Sequence, residues 1–94
     1  MPTLRIEHHV ANYAGWKKAF DDDPIGRARS GVLRYSILRG ADNPNDVMID
    51  LDFASKEEAE GLLAAMRQVW GRVQGTLIFE PRAQIVETVE TKEY

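Results

Sequence analysis

Two adjacent histidines, His8 and His9, are the side chains of this sequence best suited to proton transfer near neutral pH. Tyr13 and Trp16 follow closely, so an aromatic molecule could be held beside an imidazole. A histidine pair could bind one metal ion, form a proton relay, or supply a single general base to a pocket. The elements that position the two imidazoles decide between these chemistries.

The segment around the histidines has the two-residue period of a half-buried strand, from Thr3 to Val10. Its two faces are Leu4, Ile6, His8 and Val10 on one side and Thr3, Arg5, Glu7 and His9 on the other. Because neighbouring residues of a strand point in opposite directions, His8 and His9 cannot converge on one metal ion without a bulge. The pair is therefore interpreted as two separate sites.

A first helix is predicted after the strand, with Asn12 as its N-cap and its end near Asp22. Tyr13, Trp16 and Phe20 recur at helical spacing and form an aromatic stripe on it. Asp23 and Pro24 predict a fresh cap and a short helical turn that runs to Ser30.

Strands are then expected over Val32 to Arg39 and over Asp46 to Phe53, joined by a hairpin turn. Ser55 and Glu58 form a capping box before a second helix. The apolar positions of that helix are Ala59, Leu62, Leu63, Met66, Val69, Trp70 and Val73. The pattern after it predicts an extended segment over Thr76 to Glu80, an interruption at Pro81, and a last strand over Ala83 to Glu90.

This βαββαβ order predicts an α+β, ferredoxin-like fold in one domain, residues 1–94. Right-handed crossovers give an antiparallel sheet of strand order 4-1-3-2 with both helices on one face. The other face of the sheet is left for water or for a partner.

Composition narrows the class of protein. Hydrophobic residues at 44% and charged residues at 29% are typical of a globular domain, and no apolar run is long enough to span a bilayer. A signal peptide is not recognisable, so a cytoplasmic location and no membrane association are expected. The net charge of −3 gives no electrostatic reason to expect nucleic acid, and Asp50 and Asp52 on the third strand would repel phosphate.

His8 shares its face with apolar residues of the first strand, and Val47, Ile49, Leu51 and Phe53 continue that face on the third strand. It should therefore point into the layer between the sheet and the helices. One interpretation is a core histidine satisfied by a single hydrogen bond. The other is a general base or hydrogen-bonding anchor in a small apolar cavity where an aromatic ring could stack.

The opposite face carries His9 together with charged residues. Arg5 and Arg34 are expected as cross-strand neighbours of Asp50 and Asp52, which indicates a charge-paired surface or a dimer interface. Two carboxylates could also hold a hard cation, but no third one follows at a fixed spacing, and we predict no metal site.

Three further groups have both a structural and a functional interpretation. The run from Asp21 to Asp23 suggests a metal site, but its members fan around a helix, and a capping role accounts for Asp23. Arg27, Arg29, Arg34 and Arg39 could meet an anionic ligand or form a solvated face. Trp16 and Trp70 fit a core as well as a ligand platform.

The run from His8 to Asp21 resembles a signature of the dimeric α+β barrel superfamily, in small proteins related to antibiotic-biosynthesis-monooxygenase domains. The matching residues are Val10, Tyr13, Trp16, Lys17, Phe20 and Asp21. The turn from Ala41 to Val47 resembles the hairpin of the same group, and the element order covers nearly the whole chain. Asn12 departs from the usual aspartate, although either residue can cap a helix.

The resemblance implies a homodimer whose sheets pack face to face and bury the side of Arg5, Glu7 and His9. It also places any ligand pocket between sheet and helices, on the side of His8. Active members include cofactor-independent oxygenases of phenols or quinols, haem-degrading oxygenases and polyketide cyclases. The haem-degrading type is not expected, because Ile6 stands where an asparagine is needed and no histidine follows His9.

Two functions follow. In the first, the protein is a cofactor-independent monooxygenase that takes a phenolic small molecule, with His8 as catalytic base and Tyr13, Trp16, Tyr35 and Trp70 as substrate-binding walls; we expect no cofactor. In the second, it is a dimeric binding or interaction module without turnover. An open cavity of a few hundred Å³ that reaches His8 would support the first function, and a packed interior the second.

Overall fold

The computed structural model describes residues 1–75 and 77–94. Thr76 lies outside that description, and so does the side chain of Val73. The sequence assigns Thr76 to the extended segment and Val73 to the apolar stripe of the second helix. The elements are β1 (Pro2–Val10), α1 (Tyr13–Asp22), β2 (Val32–Arg39), β3 (Asp46–Phe53), α2 (Lys56–Val73) and β4 (Ile78–Glu87). This order confirms the predicted βαββαβ fold.

Within the described residues, β1 to β4 form one antiparallel sheet in the order β2-β3-β1-β4, which is the predicted order. The central pair aligns the apolar positions of both strands, Leu4 with Leu51 and Ile6 with Ile49. Side chains of both helices cover this face, and eight of the positions that β1 and β3 contribute to it are at most 5% exposed: Leu4, Ile6, His8, Val10, Val47, Ile49, Leu51 and Phe53. Burial of this face is the main source of stability.

Side-chain caps begin both helices where the sequence predicts. The amide of Gly15 donates to the Asn12 side chain at 3.0 Å, and the amide of Glu58 donates to the Ser55 hydroxyl at 3.2 Å. In α2 the Glu58 carboxylate accepts a hydrogen bond from the Ser55 hydroxyl at 3.1 Å, so this half of the box joins two side chains.

The loop from α1 to β2 contains the predicted short turn, but the turn begins later than Asp23 and is not a regular helix. Asp23 ends α1 in the left-handed conformation, with φ of 50°, and Gly26 also has a positive φ, 78°. These angles prevent the chain from continuing as a helix, so residues 27–31 form a turn. The Asp23 carboxylate still acts as a cap, because it accepts from the amide of Arg27 at 2.9 Å.

The predicted break at Pro81 and the predicted end of the last strand at Glu90 are both wrong. The strand is continuous because β4 is an edge strand with a bulge, and a sheet tolerates proline in both settings. Glu80 and Pro81 lie opposite the single residue His8 in this bulge, and Glu80 has φ of 52°. The strand ends at Glu87 because that residue pairs with Pro2, where β1 begins.

Candidate functional site

His8 lies in the middle of the covered face, 5% exposed, as the strand period predicts. Its ring meets Trp16 of α1 edge to face, with centroids 5.5 Å apart and an interplanar angle of 64°. The bulge that faces it belongs to β4, so the alternation of β1 is preserved and His9 points to the opposite side. The two imidazoles therefore occupy separate environments.

A cavity of about 210 Å³ lies between the sheet and the two helices, and His8 is part of its wall. The wall is mostly apolar and aromatic. Its main contributors are Ile6, Ile49 and Leu51 from the sheet, Trp16 and Phe20 from α1, and Leu62, Met66 and Trp70 from α2. His8, Asp23 and Arg27 are the ionisable residues among those that line it.

The Nδ1 atom of His8 is buried and has no hydrogen-bond partner among the residues that the structure describes. Burial lowers the pKa of His8 from 6.5 to about 4, and neighbouring backbone groups of His8 and His9 oppose this shift only in part. The imidazole is therefore neutral at pH 7. The predicted alternative of a core histidine satisfied by a hydrogen bond is not supported at Nδ1.

Of the four predicted wall residues, Trp16 and Trp70 line the cavity. Tyr13 and Tyr35 do not, which corrects their predicted position. Tyr13 packs against Trp16, with ring centroids 5.8 Å apart, and the Arg39 guanidinium lies 4.0 Å above its ring. Tyr35 is on the edge strand β2, 44% exposed, and contacts the edge of Phe20. Each tyrosine therefore contacts an aromatic residue of the wall without lining the cavity itself.

Phe20 and Arg27 are among the wall residues that were absent from the predicted site. Phe20 stacks on Trp16 with centroids 5.2 Å apart, and its place in the aromatic stripe was the available signal. Arg27 enters the wall from the loop after α1. The basic cluster was its only sequence signal, and that cluster disperses in the fold: Arg34 pairs with Asp52, while Arg39 donates to the Pro44 carbonyl at 3.0 Å.

The opposite face of the sheet, which we call the open face, carries paired charges. Arg5 binds Asp50 through two hydrogen bonds of 2.9 Å, and Arg34 binds Asp52 at 2.5 Å, which confirms the predicted cross-strand neighbours. Two further cross-strand pairs are His9 with Asp46 and Arg82 with Glu7. In the part of the chain that is described, no group of three or more histidines and carboxylates is arranged to hold a metal ion.

Comparison with known structures identifies the fold. SnoaB, a cofactor-independent oxygenase from Streptomyces nogalater, superposes with a TM-score of 0.76 at 17% identity over 96% of this chain and 94% of its own. A proposed antibiotic biosynthesis monooxygenase from Nitrosomonas europaea superposes with a TM-score of 0.70 at 18% identity, over 96% and 100% of the two chains. A dimeric ferredoxin-like protein from an uncultured marine organism gives 0.65 at 14% identity, over 97% of each.

No protein-family model matches the chain, and the search of curated proteins found no match. Across residues 1–75 and 77–94, the helices are too short or too polar to cross a membrane. The three structural similarities cover nearly all of the chain at low identity, and they support its architecture rather than a particular reaction. The chain thus has the ferredoxin-like fold found in antibiotic-biosynthesis-monooxygenase-like proteins, as the resemblance of its first helix predicts.

Proposed function

We propose that the cavity binds a small phenolic molecule and that the protein oxygenates it without a cofactor. The observation that carries this proposal is the buried His8 in the wall of an apolar cavity. Its Nδ1 has no hydrogen-bond partner among the described residues. Leaving a buried polar atom unpaired costs about 1–3 kcal/mol. A hydroxyl group on the ligand would recover that free energy by donating a hydrogen bond to the neutral imidazole once the ring turns its Nδ1 toward the cavity.

Cavity size sets the class of molecule. An apolar cavity of about 150 Å³ in another protein stays dry and binds benzene. The present volume of about 210 Å³ is somewhat larger, which suits a phenol of one or two rings. Trp16, Phe20 and Trp70 would provide the aromatic contacts.

The pKa of His8 determines how it would act. The pKa of a phenol, near 10, is about 6 units above the pKa of His8, which is about 4. If the two groups titrate independently, transfer of the proton from the phenol to the imidazole costs about 8 kcal/mol. The bound phenol would therefore remain protonated and hydrogen-bonded in the resting complex. Proton transfer would occur as oxygen reacts, when the phenolate and imidazolium form a mutually stabilising pair.

Dioxygen is the only co-substrate of the proposed reaction. His8 accepts the phenolic proton, and a ring carbon that is conjugated with that oxygen and bears one hydrogen adds dioxygen. His8 returns the proton to the peroxide, and the hydroperoxide loses water to leave a carbonyl group. One oxygen atom enters the product, the other leaves as water, and the substrate supplies all the electrons. The similarity to a cofactor-independent oxygenase supports this chemistry.

Binding and turnover can be tested separately. We expect calorimetry to show that 2-naphthol binds to the natural protein. His8→Phe should weaken that binding by about tenfold, since the hydrogen bond to a buried acceptor is lost. His9→Gln is the matched control on the open face and should bind as the natural protein does. Equal affinity in His8→Phe would refute the role of His8.

Turnover is measured as dioxygen consumption and as product mass with isotopically labelled dioxygen, across a panel of one-ring and two-ring phenols. Incorporation of one labelled atom, lost in His8→Phe and retained in His9→Gln, is the expected result. Binding that depends on His8 without any consumption of dioxygen would favour the alternative, a ligand-binding module without turnover.

We further propose that two copies associate through their open faces as a homodimer. Leu38 and Phe79, 44% and 37% exposed, lie on that face beside charges that are already paired within the chain. Burying this face would therefore remove apolar surface from water while leaving its main charges paired. The dimeric description of the marine ferredoxin-like protein is consistent with such an assembly.

A further inference from the structure

We propose that Arg27 determines the specificity of the cavity by binding a negatively charged oxygen that the aromatic ligand carries in addition to its hydroxyl group. This inference rests on the proposed function, because it assumes that the cavity takes an aromatic ligand. It assigns a second anchoring point to that ligand.

The first step concerns how firmly Arg27 is held. Its Nη1 donates to the carbonyl of Phe20 at 2.8 Å, and its guanidinium lies over the Phe20 ring, 3.8 Å from the centroid. Its backbone is fixed as well, because its amide donates to the Asp23 carboxylate and its carbonyl accepts from the amide of Val32 at 3.0 Å. The turn after α1 is thus built around this arginine, whose side chain is only 18% exposed.

The second step concerns which N–H donors of the Arg27 guanidinium remain for a ligand. An arginine side chain has five N–H donors and no acceptor. Among the described residues, its hydrogen bond goes from Nη1 to Phe20, and the Asp23 carboxylate lies at a longer 3.4 Å. Several donors therefore remain for a ligand oxygen, and a carboxylate or phenolate matches the planar fork of arginine best.

The third step concerns position. His8 contacts Trp16, Trp16 stacks on Phe20, and Phe20 lies under Arg27. Two aromatic rings therefore separate the imidazole from the guanidinium along one wall of the cavity. A ligand of one or two rings that lies along Trp16 and Phe20 would place one oxygen at each end, the hydroxyl at His8 and the anion at Arg27.

A second charged residue, Asp23, bears on anion binding at Arg27. It adopts the left-handed conformation, which costs free energy in a residue other than glycine, and it lines the cavity beside Arg27. Its carboxylate would lower the affinity for an anion and would hold the guanidinium in place in the empty cavity. Neutralising it should therefore favour anionic ligands.

The test compares two probes that differ by one carboxylate, 2-naphthol and 6-hydroxy-2-naphthoate, by calorimetry. The natural protein should bind the naphthoate about tenfold more tightly. Arg27→Gln should abolish this preference by weakening the binding of the naphthoate much more than the binding of 2-naphthol, while Arg27→Lys should restore part of it. Asp23→Asn, which keeps the cap, should increase the preference severalfold. Arg29→Gln makes the same charge change at an exposed position outside the cavity wall and should have no effect.

The outcomes separate the two proposals. The natural protein could bind 2-naphthol in a way that depends on His8 and yet show no preference for the naphthoate, or show a preference that Arg27→Gln leaves unchanged. Either result would overturn the role of Arg27 alone. Failure of both probes to bind the natural protein would overturn the proposed function and this inference together. Thermal unfolding shows whether each variant is folded, and Asp23→Asn provides a prediction of opposite sign if Arg27→Gln unfolds.

Discussion

The two faces of the sheet differ in whether their polar side chains have partners. On the open face, Arg5, Arg34 and His9 each have a carboxylate partner on the neighbouring strand. On the covered face, His8 is buried against Trp16, and its Nδ1 has no partner among the described residues. Exposed pairs add little stability individually, whereas a buried unpaired atom has a measurable cost. The place where the fold tolerates that cost is the place to look for a ligand.

Acidification provides the strongest test of this contrast. The pKa of His8 is lowered in the folded protein, so between pH 6.5 and about 4 the unfolded chain binds a proton that the folded chain does not. The free energy of unfolding should fall across that window by about 3 kcal/mol, and at lower pH His8 adds no further loss. Urea unfolding at a series of pH values measures the effect.

His8→Phe should remove this part of the pH dependence, and His9→Gln should retain it. An identical pH profile in His8→Phe and the natural protein would mean that burial does not suppress protonation of His8. The comparison between the faces would then fail.

The next test addresses the open face as an interface. Leu38→Lys places a charge on that face, so a dimer formed through it should weaken by about tenfold or more. Sedimentation at micromolar concentration should give a dimer for the natural protein and a monomer for the variant. Val89→Lys, at a position 96% exposed and outside the sheet, is the control. A natural protein that sediments as a monomer would contradict the proposed assembly.

The smallest effect is expected from a single hydrogen bond on the open face. The Thr3 hydroxyl donates to Asp52 at 2.5 Å and, with Arg34, lowers the pKa of that carboxyl. The stability this provides is present above pH 3.8 and is lost as the pH falls through the lower pKa of the folded state. Thr3→Val should cost about 1 kcal/mol at pH 6 and less at pH 2.

Nuclear magnetic resonance titration of the Asp52 carboxyl group should show a higher pKa in Thr3→Val. Ser36→Ala, on the same face, is the control and should leave that pKa unchanged. A Thr3→Val variant with an unchanged Asp52 pKa would show that Arg34 alone stabilises the carboxylate.

Much of the fold could be predicted because strand alternation and helix caps are local properties of the sequence. The same alternation placed His8 and His9 on opposite faces and paired Asp50 and Asp52 with arginines. The bulge at Glu80 could not be predicted, because it depends on how β4 pairs with β1. Arg27 was not assigned to the cavity, because its position depends on the left-handed conformation of Asp23 and the positive φ of Gly26. Periodicity indicates which face a residue occupies, but the location of a gap between helices depends on side-chain packing.

Both tryptophans of the chain, Trp16 and Trp70, line the cavity. Their location has an optical consequence. The tryptophan fluorescence of the protein therefore arises entirely from residues of the cavity wall. A molecule that enters the cavity will change that emission directly, so unlabelled protein can be screened against a library of compounds. Trp16→Phe would leave Trp70 as a single reporter on α2 and would show which side of the cavity a compound contacts.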